Sequence, residues 1–151
     1  MAINVQKKKL EPLKASDLVG DIRETLECSQ RVVANLLGLT AQTISNNLES
    51  PVDELTPRTR DRLRALHAIA VSIFGRGGRD LRREAILEII QAQVFRDLHG
   101  RMDSVISALH QDKYPIETLI QIAEISYRLY QDKNQEKRKA FPELNSRALQ
   151  P

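Results

Sequence analysis

Apolar positions along this chain recur at three- and four-residue spacing over most of its length, the mark of helices with one face turned to a core. Leu18, Ile22 and Leu26 stand four apart with Val19 beside them. They predict a first helix over about 17–27, with Ser16 and Asp17 as N-cap candidates. Val33, Ala34 and Leu37 predict a second helix over about 29–37. Ile44 and Leu48 predict a third over about 40–49, halted by Ser50-Pro51. Thr56-Pro57 reads as a helix start, Thr at the N-cap and Pro at the first helical position. Leu63, Leu66, Ile69, Ala70, Ile73 and Phe74 then carry a fourth helix to Gly75.

Gly77-Gly78, between Arg76 and Arg79, is the candidate hinge and domain boundary. After it, Leu81, Ala85, Ile86, Ile89, Ile90, Val94 and Leu98 outline a long fifth helix closed by Gly100. Val105, Ile106 and Leu109 mark a shorter sixth. Tyr114-Pro115 opens a seventh, striped by Ile116, Leu119, Ile120, Ala123, Tyr127 and Tyr130. No convincing alternating run bounded by hairpin turns argues for a sheet. The expected fold is all-α: an N-terminal four-helix unit containing a helix-turn-helix, then a C-terminal bundle of about three helices. The expected organisation is a flexible basic arm (1–15), a helix-turn-helix DNA-binding domain (16–75), a C-terminal oligomerisation or partner domain (79–130) and a polar, disordered tail (131–151).

Composition agrees with helices. Of 151 residues 41% are hydrophobic, mostly Leu, Ile, Val and Ala, with three Phe, three Tyr and no Trp. The net charge is +3, and it is spread evenly: ten Lys/Arg against nine Asp/Glu through Gly75, thirteen against eleven after it. Binding to a polyanion would therefore need local placement of charge instead of a general positive field. The arm carries Lys7, Lys8, Lys9 and Lys14. It reads either as a solvated tail or as an arm that reaches a minor groove. Cys28 is the one cysteine, so no internal disulfide framework exists and a reducing cytoplasm is the expected location. No segment approaches the roughly 20 apolar residues of a membrane span, and no membrane partner is expected.

The stretch Ser29–Glu49 holds the candidate chemistry. Two short helices meet through Leu37-Gly38-Leu39, with Gly38 placed to end the first in a left-handed conformation and Thr40 to cap the second. Ala34 is small enough for a close crossing. Val33, Leu37, Leu39, Ile44 and Leu48 supply the packing between the pair. This is the grammar of a helix-turn-helix, whose second helix can lie in a DNA major groove. Its outward face would carry Ala41, Gln42, Ser45, Asn46 and Glu49. Gln and Asn can bond adenine bidentately, Ser can donate or accept, and Ala can touch a thymine methyl. From Val32 to Pro57 there is no Lys or Arg, so the phosphate grip must come from Arg31, Arg58 and Arg60, with the arm and the arginines of 76–83 next. Arg62 and Arg64, deeper along the fourth helix, read equally well as a solvated face with local ion pairs, as around Asp61.

Gln30, Ala34, Leu37-Gly38-Leu39 and Thr43-Ile44-Ser45 resemble the core of the lambda-repressor/Cro-like (Xre-type) DNA-binding family over about residues 16–74, and the lead-in Leu26–Gln30 is similar too. The resemblance implies a helical DNA-binding domain, with Gln42, Ser45, Asn46 and Ala41 reading bases. It implies that Gln30, Arg31, Thr40, Arg58 and Arg60 hold the backbone. Asn47 departs from the family, which usually has an apolar or aromatic residue there, and Glu49 stands one place later than its common acidic residue. The expected packing set of the motif is Val33, Ala34, Leu37, Gly38, Ile44 and Leu48.

Signs of catalysis are missing from the sequence. His67, His99 and His110 lack metal-ligand spacing, and no Walker loop, Rossmann glycine pattern or nucleophile elbow is present. No enzyme activity, metal or cofactor is expected. Glu24 and Glu27 lie near Cys28 and disfavour a reactive thiolate, so a semi-buried structural thiol is expected. The expected function is a sequence-specific transcriptional regulator, most simply a repressor of phage, plasmid or bacterial type. It would bind double-stranded DNA as a homodimer, because one motif reads only about 4 to 5 base pairs. Apolar residues on both flanks of the fifth helix (Ile86 and Ile90 beside Ala85 and Ile89) point the same way, and a protein partner could bind the C-terminal helices. The competing expectation is a protein-interaction module, antitoxin-like or a phage adaptor, whose helix pair is only a packing unit.

Overall fold

A computed structural model describes residues 13–75, 83–97 and 99–140. The fold is all-α, with one very short hairpin among the described residues. Its described helices are α1 (Ala15–Leu26), α2 (Gln30–Leu37), α3 (Ala41–Asn47), α4 (Pro57–Ile69), α5 (Arg83–Gln91), α6 (Val105–His110) and α7 (Ile116–Ala140). A 3-10 turn, Val52–Glu54, precedes α4, and a π-helical turn, Ala70–Phe74, extends it. Helix α4 is the central element: α1, α2, α6 and α7 all pack on it. Its stripe of Leu63, Leu66, Ile69, Ala70, Ile73 and Phe74 is buried, as the spacing required.

One continuous apolar cluster runs from Ala15 in α1 to Ala123 in α7. Ile86, Ile89 and Ile90 of α5 lie within it, packed with α7, while Ala85 is half-buried. Buried Ser126 of α7 adds a polar tie, its hydroxyl donating to the carbonyl of Ile89. The expected hinge at Gly77-Gly78 lies outside the described residues, as do most of the arm (1–12) and residues 141–151.

Three elements differ from expectation. The fifth helix ends at Gln91, and the segment to Gly100 belongs to a hairpin: β1 (Phe95–Arg96) pairs antiparallel with β2 (Met102–Asp103). Gly100, read as a helix stop, is a turn residue at φ +77°, and the Asp97 carboxylate accepts from the backbone N–H groups of His99 and Arg101, both at 2.9 Å. An Asp that folds back on its own loop competes with the helix for backbone donors. Those bonds, that from Arg101 first, hold the Asp97 carboxyl below the usual carboxylate range. Leu98, counted in the expected stripe, is outside the described residues. Helix α7, in turn, continues through Gln131 to Ala140 where a disordered tail was expected. Gln, Glu, Lys and Arg are good helix formers, and the segment extends a helix already nucleated by packing, which removes the usual cost of starting one. Finally, Lys14 and not Ser16 or Asp17 occupies the N-cap of α1; Asp17 is the third helical residue, and its carboxylate accepts from the Lys14 N–H at 2.9 Å.

A shared core makes a prediction about cooperativity. Ile22→Ala in α1 and Ile89→Ala in α5 should each cost about 3 kcal/mol and move the same single urea transition. Circular dichroism and tyrosine fluorescence should report coincident midpoints; two transitions, with Ile89→Ala moving only one, would show independent units.

Candidate nucleic-acid interface

Ser29 begins the helix pair by capping α2, its Oγ accepting from Val32 N–H at 3.3 Å. Val33, Ala34, Leu36 and Leu37 then bury their side chains. Gly38 ends the helix at φ +67°, where a side chain would be strained. Leu39 N–H donates to Ala34 O at 2.9 Å and Gly38 N–H to Asn35 O at 3.1 Å, the paired bonds of a Schellman turn.

Two carbonyls at this helix end remain, and donors distant in sequence satisfy them, one from α4 and one from the end of α6. Arg62 Nη1 donates to Leu37 O at 2.9 Å, and His110 Nε2 to Leu36 O at 2.7 Å. A carbonyl can only accept, so Nε2 carries the proton of that imidazole. The other face of the Arg62 guanidinium holds Asp112 through two bonds, Nε to Oδ1 at 2.8 Å and Nη2 to Oδ2 at 2.9 Å, and Nη2 also donates to His110 O at 2.9 Å. Arg62 is 8% exposed. This corrects the reading of Arg62 as a solvated residue: its planar fork joins α4, the end of α2 and the end of α6. Arg64 keeps the local role, paired with Asp53. Gly38 is required a second time here, because a Cβ would stand 2.9 Å from Arg62 Nη1 and 3.2 Å from the His110 ring.

Helix α3 is fastened at both ends. Thr40 caps it, Oγ1 accepting from Thr43 N–H at 3.1 Å. At the far end, Leu48 O accepts from Ser16 N–H at 2.8 Å and Ser50 O from Ala15 N–H at 2.9 Å. The free donors of the α1 N-terminus thus meet the carbonyls that follow α3, and each end solves the other's hydrogen-bonding problem. Ile44 is buried and Leu48 half-buried. Asn47, the departure from the family pattern, is half-buried and donates from Nδ2 to Thr43 O at 2.7 Å.

Ala41, Gln42, Ser45 and Asn46 all lie on the exposed side of α3, together with Glu49 just beyond it. Gln42 Nε2 donates to Asn46 Oδ1 at 2.8 Å, and Gln30 Nε2 reaches across from α2 to Ser45 Oγ at 3.1 Å. Apart from Glu49 at its end, the face is thus uncharged, rich in amides and partly ordered by its own bonds. Of the cations expected to support it, Arg31 is exposed and makes no ion pair among the described residues. Arg58 Nε lies 3.2 Å from Asp112 Oδ2, Arg60 Nε donates to Asp61 at 3.1 Å, and Lys14 Nζ pairs with Glu49 at 3.3 Å. Cys28 is half-buried against the core. Sequence reasoning missed the Arg62, His110 and Asp112 constellation; Arg62 showed no local sign, since its partners lie 25 to 50 residues away.

The chain was compared with protein-family models, with curated proteins and with solved structures, and it matches none of them.

Arg62 and Asp112 generate two tests. Arg62→Ala would leave Leu37 O without its donor and Asp112 with Arg58 alone, and should cost about 3 kcal/mol of unfolding free energy in urea titration. Hydrogen bonding from Arg62, against a smaller opposing effect of burial, holds the Asp112 carboxyl below its usual range. Because the folded value lies under the unfolded one, the stabilisation is complete above the ordinary carboxylate range and is lost as pH falls through the folded value. Asp112→Asn should therefore flatten the acid limb of the stability curve below about pH 4 and leave its slope unchanged near neutrality.

Proposed function

We propose that the chain is a sequence-specific DNA-binding transcriptional regulator that lays α3 in the major groove. The observation supporting this is the exposed, uncharged face of Ala41, Gln42, Ser45 and Asn46 on a helix fixed at both ends. Side-chain amides on a rigid support suit bidentate recognition of base edges. Gln30 and Arg31 at the start of α2 and Thr40 at the cap of α3 would hold the phosphates, with Arg58 and Arg60 as further cations. A single α3 covers about 4 to 5 base pairs, so the proposed binding form is a homodimer on two half-sites. Repression is the simplest mode, since occupying a promoter needs no further contact.

A second reading rests on a specific observation. Arg58 and Arg60 already face carboxylates, and no Lys or Arg lies between Val32 and Pro57. A surface so poor in free cations also suits a protein partner, with the helix pair as packing unit of an antitoxin-like or adaptor module.

In vitro selection of DNA sites should return a palindrome whose half-sites lie one helical turn apart. On the selected operator, Gln42→Ala should relax specificity at one position, and Arg31→Ala should weaken binding across sequences and reduce the salt slope by about 1. Absence of any mobility shift on random duplex at low salt would favour the protein-interaction module.

A further inference from the structure

A groove of about 440 Å³ separates the start of α4 from the α6–α7 connection. Its floor is apolar, where Ile116 and the edges of buried Ala65, Leu109 and Leu119 are reached, and its rim carries Arg58, Asp61, Arg62 and Asp112. The volume is within the usual range for small-molecule sites, and an apolar wall with a few convergent polar groups is their usual composition.

The charges on the rim are unequally satisfied. Asp112 is held by both oxygens on Arg62, and Asp61 accepts from Arg60. Arg62 bonds Leu37 O, His110 O and Asp112. Arg58 makes a single contact among the described residues, Nε with the Asp112 oxygen that Arg62 already engages, and its side chain is 69% exposed. Its two terminal nitrogens are left to water, and a planar fork with free N–H groups at the mouth of an apolar groove matches a carboxylate.

We propose that this groove binds a small organic monocarboxylate, its carboxylate on Arg58 and its apolar body against Leu109, Ile116 and Leu119. A monoanion is favoured over a phosphate dianion because Asp61 and Asp112 flank the same rim and repel a second negative charge. The groove can be tested without DNA and does not require that α3 read bases, although both proposals use Arg58. It is, however, joined to the helix-turn-helix through Asp112 and Arg62, whose other face holds the Leu37 carbonyl beside Gly38. A carboxylate that draws Arg58 off Asp112 leaves that carboxylate to Arg62 alone, and the change is felt at the turn.

The test uses the full chain, labelled with nitrogen-15 and titrated with 3-phenylpropanoate or with its neutral counterpart 3-phenylpropan-1-ol. Saturable amide shifts are expected at Leu109, Asp112 and Ile116 with the acid, accompanied by a shift at Gly38. Arg58→Gln, a change at an exposed side chain, should weaken the acid about tenfold and leave the alcohol unchanged. The proposal is overturned if the acid shifts none of the groove residues at millimolar concentration. It is equally overturned if the acid and the alcohol bind alike, or if Arg58→Gln leaves the acid unaffected.

Discussion

A helix of eight residues has more unsatisfied terminal groups than internal bonds, and α2 is such a helix, followed at once by another helix it must hold at a fixed angle. The last four carbonyls of α2 are all accounted for. Ala34 and Asn35 use the Schellman turn at Gly38, and Leu36 and Leu37 use His110 and Arg62. A guanidinium donor is well suited to the negative end of a helix. Arg62 can serve there because Asp112 balances its charge on the opposite edge, in a setting where an unpaired guanidinium would be costly. The bend between α2 and α3 therefore depends on residues from α4, from the end of α6 and from the stretch just after it.

That dependence ties the two halves of the molecule together more tightly than a linker and a docking face would. The apolar cluster is continuous, and the polar constellation crosses it at the motif's turn. Helix α3 inherits this rigidity. Thr40 fixes its start and the α1 N-terminus fixes its end, so its exposed face is carried on a support with little freedom. A long side chain on such a face loses less entropy on meeting a partner than one on a loop.

Electrostatics set the limits of that face. Cations around the motif mostly lie within contact of carboxylates: Lys14 with Glu49, Arg58 with Asp112, Arg60 with Asp61, Arg64 with Asp53. Exposed pairs of this kind contribute little stability, and a stronger anion can displace them. The same property makes Arg58 relevant to both a phosphate backbone and the groove beside it.

The helices were legible in the sequence because apolar spacing reports which face is buried, and the Ser29, Gly38, Thr40 and Pro57 signals are local chemistry. The exposed set Ala41, Gln42, Ser45 and Asn46 followed from the same periodicity. Errors arose where one residue type serves two purposes. Gly100 can end a helix or turn a hairpin, and Asp97, which decided between them, acts through bonds that only the folded loop makes. Likewise the polar run after Gln131 lacks an apolar stripe, yet it extends a helix that packing had already begun. Arg62 is the clearest case. Its neighbours in sequence, Arg60 and Arg64, form local ion pairs, and nothing in the spacing sets Arg62 apart. The sequence by itself determined the helical periodicity and the capped helix pair, since both arise from interactions within a few residues. Only the tertiary structure decided what holds that pair, because the partners of the Leu36 and Leu37 carbonyls come from segments that folding alone brings together.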